Sequence, residues 1–570
     1  MAPFAGIISG TGSLTKQNGS TVTITAAQTF TGGATISQGT LKLGASDRLA
    51  DSGPLTVTGF SAFDLGGFSE TVGSVTLNSG TIAGPGTLIG TSYQFQSGTV
   101  SANLAGAAAL TKNGTGLVTL SGTNTYSGVT TISAGTLRGN SASLTGDILN
   151  IATLTFDQTV DGSYGGEVSG TGTLTKLSAG TLTLSSVSSY TGPTNIQGGT
   201  LRLGEHHVIS STSSIVISSG AILDLNGFNL SVRSLSSSGG VALGVGGQLT
   251  INNDSAVAFS GSINGAGSVT KQGSATLSLS GASGYSGGTN VIEGTLNVSG
   301  SERLADGGSV HVGGGQLTVG ATETVAGVFL FNGSITGGTL IGAAYAVQSG
   351  SISADLAGAA ALTKTTVGTV VLTGANTYAG GTTVTAGTLQ GNTASLPGNM
   401  TNNAIVTFNQ IASGTYSGAM VGNGSLVKQG AGTLTLAGSN AYAGGTTVAG
   451  GTLQGNTTSI QGNVAIDSNA ATVKFDQASD GTFGGTVSGS GSLAKANSGT
   501  LVLTATRGDA RHYLQQCDAT IVVGQSGVDI DEHGNDNDRK PFHWRGELSS
   551  CCGSGQPIDR RPRELQRVQD

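Results

Sequence analysis

A single unit recurs along most of this chain, and a fixed recurrence restricts a fold more tightly than composition does. Its cleanest copy reads GNGSLVKQGAGTLTLAGSNAYAGGTTVAGGTLQGN at 422–456. Related copies begin at Gly10, Gly106, Gly170, Gly265, Gly358 and Gly422, and a truncated seventh begins at Gly489. Successive starts lie 96, 64, 95, 93, 64 and 67 residues apart. These intervals are near whole multiples of about 32 residues, which predicts one kind of module with extra turns inserted between some copies. The insertions recur as well: SDRLADSGPLTVTG at 46–59 matches SERLADGGSVHVGG at 301–314, and SANLAGAAALTK at 101–112 matches SADLAGAAALTK at 353–364.

Each copy has the same local grammar. A Gly-x-Gly turn leads to a short strand ending in Lys, and a second turn precedes Thr-Leu-Thr-Leu. Then Gly-x-Asn-x-Tyr-x-Gly-Gly turns the chain before Thr-Thr-Val and Gly-Thr-Leu. Alternation such as Thr181-Leu182-Thr183-Leu184 puts apolar side chains on one strand face and hydroxyls on the other. Glycine supplies 99 residues and only 9% are charged, a balance that also suits disorder. The ordered alternation of Val, Ile and Leu with Thr and Ser excludes that reading for the repeats. Strands of a few residues bury too little surface alone, so they must stack coil on coil. At roughly 20–25 residues per coil, residues 6–504 hold on the order of 20 coils, an elongated rod at about 4.8 Å per coil. The expected fold class is all-β, a right-handed parallel β-helix (β-solenoid).

The pattern G-x-G-x-L-T-K-x-G-x-G-T-L-T-L-x-G-x-N-x-Y-x-G-G-T-T-V-x-x-G-T-L resembles the autotransporter-associated β-strand repeat. Copies at 358–392 and 422–456 match it nearly throughout, and the resemblance covers about residues 6–504. GNMTNNAIVTFNQIASGTYSGAM at 398–420 is similar to spacer sequence between such repeats. The resemblance implies a passenger exported through the bacterial outer membrane and shown extracellularly at the cell surface, with an outer-membrane translocator barrel as partner in the full-length protein. That barrel is absent from these residues, and the opening MAPFAGIISG has no basic or apolar region of a signal peptide. The cysteine-free stretch up to residue 516 is consistent with export.

Past Thr504 the pattern stops. Residues 505–570 carry 20 charged residues, against 33 in the preceding 504, together with Cys517, Cys551, Cys552 and Trp544. This anomalous charged tail is expected to be disordered and non-homologous to the repeats, an out-of-frame or gene-model extension; a genuine regulatory tail is the rival reading.

Catalysis needs unlike polar groups converging on one place, and the repeats offer few. Asp157 in TFDQ and Asp476 in KFDQ correspond to Asn409 in TFNQ, an interchange that suits a turn-capping hydrogen bond. Asp64 and Asp224 stand in turn contexts of the same kind. His206-His207, read as neighbours on a strand, would point to opposite faces and lack a third metal ligand. Cys551-Cys552 with His543 matches no zinc spacing. Gly170-Thr171-Gly172 opens no helix, so it is no nucleotide loop, and Arg507-Gly508-Asp509 falls in the tail. No catalytic residue, cofactor or metal site is expected. Lys16, Lys112, Lys176, Lys271, Lys364, Lys428 and Lys495 share one motif position at a strand end. They read as solubilising gatekeepers against side-to-side sheet association, or as a sparse row facing an anionic polysaccharide. Tyr126, Tyr190, Tyr285, Tyr378 and Tyr442, with Phe30 in the first copy, read as turn-packing residues.

With no basic stripe or base-stacking platform, nucleic acid is not an expected partner, and no run of roughly 18 apolar residues crosses a membrane as a helix. The leading functional expectation is a non-catalytic structural stalk or adhesin, meeting host surface or matrix glycans or associating with itself. A polysaccharide-active β-helix enzyme, lyase or glycosidase, and a pure translocation or folding scaffold are the alternatives.

Overall fold

A computed structural model describes residues 3–505 and two further strands, Leu514–Gln516 and Ile521–Val523. Among the described residues there is no helix. The chain divides into two units, residues 1–380 and 381–570, and the described residues of each form a parallel β-solenoid, with about 25 turns in all. In the first unit a nine-stranded parallel sheet runs from Leu14–Lys16 through Ala34–Ile36, Leu55–Val57, Ser74–Leu77, Ser92–Phe95, Leu110–Lys112, Thr130–Ile132 and Ile148–Asn150 to Val168–Ser169. The second unit holds a sheet of the same kind, from Gly414–Tyr416 through Thr433–Leu436, Gly451–Gly455, Ala471–Asp476 and Ser492–Ala496 to Leu514–Gln516.

Alternation decides which side chains fill the interior. In Thr181–Leu184 both leucines are buried and both threonines half-exposed. Stacking then places like on like: Leu41, Phe63, Ile82, Val100 and Leu120 form one column by register, and each is at most 1% exposed. Each such residue contributes roughly 1.5–3 kcal/mol of burial, while the main-chain bonds of the rungs satisfy the backbone between them.

The register corrects the expected module length. Lys16 pairs with Ile36, then Val57, Leu77, Phe95 and Lys112 follow, so the 96-residue interval is five rungs. The 93 residues from Lys271 to Lys364 are again five rungs, through Val291, Val312, Leu330 and Val347. The structural period is therefore near 20 residues and not 32. Over the 64-residue interval the motif changes side: Lys112 sits in the nine-stranded sheet, whereas Lys176 pairs with Phe156 and Ile196 in another. Any side of the coil is a short strand followed by a turn, so the same strand-and-turn sequence fits more than one side. Sequence similarity reports that recurring piece, not the coil.

The expectation of disorder beyond residue 504 falls largely on residues outside those described. The described part extends the coil: Leu514–Gln516 pairs with Ser492–Ala496, and Ile521–Val523 with Leu501–Ala505.

Tight stacking leaves some turns no room for a side chain. A Cβ on Gly261 would stand 1.7 Å from Gly239 O, and one on Gly281 would stand 2.0 Å from Gly261 O. Gly261→Ala should therefore cost about 1–3 kcal/mol through overpacking. Because solenoid rungs couple mainly to their neighbours, amide exchange should rise in Val257–Phe259 and Thr276–Leu279 and stay unchanged in Leu14–Lys16.

Candidate functional site

The polar residues that define the repeat face inward. Lys112, Lys176, Lys271, Lys364 and Lys428 are 0% exposed, and Lys16 and Lys495 are buried as well. In Leu-Thr-Lys, alternation sends Leu in, Thr out and Lys in; Leu110, Thr111 and Lys112 show it directly. The ammonium meets main-chain carbonyls in a fixed pattern. Lys428 Nζ donates to Gln429 O at 2.8 Å, Gly430 O at 2.8 Å and Gly450 O at 2.9 Å. Lys176 donates to Leu177 O, Ser178 O and Gly198 O at 2.8–3.0 Å. Lys16 and Lys271 each make the same three bonds, and Lys112 bonds Gly114 O and Ala134 O. Two acceptors belong to the lysine's own turn, and the third lies 22 residues on, just before a Gly-Thr-Leu strand. The glycine that follows that acceptor is left-handed, as Gly451 is at φ 63°, a conformation glycine adopts without the steric cost a Cβ brings.

Both sequence readings of the lysine row are thereby corrected. A buried ammonium neither guards a sheet edge nor faces a polysaccharide; it ties one turn to the turn of the next rung. Burial pushes the Lys428 amine down to about 8 and lowers those of Lys112, Lys176, Lys271, Lys364 and Lys495.

Asn and Tyr of the same motif are internal too. Asn440 Oδ1 accepts from Met420 N–H at 2.8 Å on the rung before, and its Nδ2 donates to Ser459 O at 2.6 Å on the rung after. Asn124 bridges Leu104 and Ser143 in the same way. The hydroxyls of Tyr126, Tyr190, Tyr285 and Tyr442 each bond the threonine four residues on, at 2.6–2.8 Å. Tyr378 and Phe30 are equally buried, so these are turn-packing residues.

The carboxylates singled out in the sequence are held in pairs. Asp64 accepts from Gly66 N–H and meets Lys42 at 2.9 Å; Asp224 accepts from Asn226 N–H and meets Arg202 at 2.7 Å. Asp157 pairs with Arg138 and accepts from Ser178 Oγ, which holds its carboxyl below the usual range. Asp476 accepts from Gln454 Nε2 and Asn497 Nδ2. His206 and His207 lie in an exposed turn rather than on a strand, their rings 6.4 Å apart, with His206 Nδ1 accepting from Asn229 N–H. Among the described residues no group of three or more His, Cys, Asp or Glu could hold a metal ion. A Cβ on Gly172 would stand 2.5 Å from both Ala152 O and Asn150 Oδ1, so Gly170-Thr171-Gly172 is a stacking turn. Cys517, Cys551, Cys552, His543 and Arg507-Gly508-Asp509 lie outside the described residues.

Sequence reasoning missed two buried acids. Glu70 and Glu323 are 0% exposed. Glu70 accepts from the N–H groups of Arg48 and Leu49 at 2.8 Å, and Glu323 from those of Arg303 and Leu304 at 2.8–3.0 Å. Each grips the Arg-Leu-Ala-Asp turn of the rung before. The available signal was a Glu-Thr-Val that follows both copies of that turn.

Parallel solenoid rungs riveted by internal Lys, Asn and Tyr define a class: repeat-built, stacking scaffolds whose signature residues serve construction. Six segments, 14–43, 110–138, 174–203, 269–298, 362–390 and 426–454, match the passenger-associated-transport-repeat. The chain is also 32% identical over 451 residues to the Adhesin BmaC autotransporter of Brucella suis biovar 1 (strain 1330), a match that takes in 66% of this chain and 13% of that protein. The chain thus spans about an eighth of that relative's length. No solved structure matches it. Together these matches support an autotransporter passenger built with such repeats.

Lys428→Met should orphan the carbonyls of Gly430 and Gly450 at about 1–3 kcal/mol each, since Gln429 O keeps the N–H of Gln410; the effect should be seen as early protease cleavage near Gly430 and Gly450. A second outcome concerns pH. Burial lifts the Glu70 carboxyl from an ordinary 4.5 to about 7, outweighing the two N–H groups that pull it down. Between those values the folded state holds a proton that the unfolded chain releases, so stability falls as pH rises through the window. Urea midpoints of Glu70→Gln against pH should lose that slope; an unchanged slope refutes the assignment.

Proposed function

We propose that this chain is the non-catalytic stalk and adhesive part of a surface-displayed passenger, making weak multivalent contacts with host surface or matrix glycans. The observation that supports it most is the division of labour within each rung. The motif's Lys, Asn and Tyr, with Glu70 and Glu323, are spent on internal bonds, and the outward face of the motif strands is largely Thr and Ser. A glycosidase or lyase needs two carboxylates, or a carboxylate and a base, around a substrate groove. Here Asp64, Asp157, Asp224 and Asp476 are each tied to a neighbour. The Brucella relative is named as an adhesin, which points the same way. Repetition suits such a role, since many weak contacts on one scaffold multiply into useful avidity.

A scaffold role in translocation has its own support. Strand partners lie about one coil apart in sequence, as Leu14 and Ala34 do, so each emerging coil can add to the one already formed.

Beads coated with the full chain should adhere to cultured host cells or extracellular matrix above albumin-coated beads. The Asp64→Ala, Asp157→Ala, Asp224→Ala and Asp476→Ala variants should adhere equally well, and the wild-type chain should release no new reducing ends from neutral or acidic polysaccharides. Adhesion at the albumin level, or polysaccharide cleavage lost in one Asp variant, would reverse the reading.

A further inference from the structure

The two copies of the insertion share their interior but not their outer surface. Inside, Tyr93 and Tyr345 make matching bonds: Tyr93 OH with Gly90 N, Leu88 O and Ala105 O, and Tyr345 OH with Gly342 N, Leu340 O and Ala357 O. Outside, the first copy presents a polar ladder by register, Thr35, Thr56, Thr76, Gln94 and Thr111. The second presents Asn290, His311, Phe329, Ala346 and Thr363 at the corresponding places. Phe331 stands where the first copy has Asn78, and it is 41% exposed. The scaffold evidently accepts threonine and asparagine there, so packing does not require the aromatic rings.

The rings are ordered against one another. His311 stacks on Phe329 with centroids 4.6 Å apart and planes 6° apart, and lies 5.9 Å and 17° from Phe331. Phe329 is followed on the next rung by Ala346, where the first copy has Gln94. The short alanine leaves the ring face away from His311 unshielded by a long side chain. Hydrogen-bonding side chains flank the stack: Asn290 on the rung before, Gln348 beside Ala346, and Thr363 beyond it. No Asp, Glu, Lys or Arg lies on Thr289–Val291, Ser309–Val312, Gly327–Leu330 or Tyr345–Val347. Burial lowers the imidazole's proton affinity, which keeps the patch uncharged at neutral pH.

We propose that His311, Phe329 and Phe331 form a binding platform for a neutral saccharide, whose pyranose ring stacks on Phe329 in the notch above Ala346 while its hydroxyls bond Gln348 and Thr363. The chemistry selects this occupant. A pyranose presents a face of C–H groups, slightly positive, to the negative face of an aromatic ring, and a rim of hydroxyls to amides and alcohols. Three rings fall far short of the roughly 800 Å² per partner that a stable protein interface buries, which disfavours a second copy or a folded protein. An anionic sugar would find no cation on these strands. The proposal deepens the adhesive reading, and it fails separately from that reading.

The test uses the full chain with methyl β-glucopyranoside, methyl β-galactopyranoside and a neutral N-acetylglucosamine trisaccharide as probes, followed by saturation-transfer NMR and calorimetry. At least one probe should bind, and Phe329→Thr with Phe331→Asn, the residues of the first copy, should weaken it about tenfold or more. The variant should keep the circular dichroism spectrum and melting profile of the parent. Binding by none of the three probes, or binding unchanged in the variant, overturns the site. Self-association seen by sedimentation in the parent and lost in the variant would instead make the patch a contact between copies, and also overturns it. Adhesion of beads carrying the parent chain while that chain binds none of the three probes would sink this site and leave the adhesive reading standing.

Discussion

A coil that turns every few residues brings main-chain carbonyls into its own interior, where water does not reach them. An orphaned carbonyl of this kind costs as much as a lost hydrogen bond or more. The buried lysine is the answer the repeat uses: three donors on one flexible stem, meeting two carbonyls of its own turn and one of the turn a rung later. The charge is desolvated, which weakens its proton affinity, yet the acceptors around it are aligned dipoles that favour the ammonium. Asn440 and Tyr442 solve the same problem at other turns with neutral groups. Strand pairing propagates the stack, and these rivets fix how each turn sits on the next.

Confining the signature chemistry to the interior frees the outside. Outward positions of the rungs carry one another's side chains in ladders, and a ladder position can change without disturbing the column behind it. Thr56 and His311 occupy corresponding places over equivalent buried neighbours, as do Thr76 and Phe329. Arg202 and Asp224, or Lys42 and Asp64, show the same freedom used for exposed ion pairs, which contribute little stability individually. The family resemblance therefore speaks to how the chain is built, and what it touches is written in the positions the repeat leaves open.

Several features are legible in the residues alone. Period-2 alternation in Thr181-Leu182-Thr183-Leu184 specified strands with one buried face, and recurrent short strands between glycine turns demanded stacking. Alternation also carried the lysine's true direction, because Lys112 shares a face with Leu110. That signal was overridden by the general preference of lysine for solvent. The period was misjudged for a different reason. Recurrence of a strand-and-turn piece on different sides of the coil yields intervals such as 64 and 96, which share a divisor near 32 although the rung is near 20. Glu70 escaped notice because its partners are main-chain N–H groups 21 and 22 residues earlier, and backbone donors leave no mark on a sequence.

By itself, then, the order of residues determined strand type, the stacked architecture and the family, since each follows from local periodicity and from recurrence. Only the tertiary structure decided which carbonyl each lysine meets, which turn each buried glutamate grips, and that His311, Phe329 and Phe331 meet on one outer surface. Those contacts join residues about one rung apart, and a register that runs from Thr87–Asn103 to Val464–Val487, 16 to 23 residues, is set by how turns of unequal length close on one another rather than by any single stretch of chain.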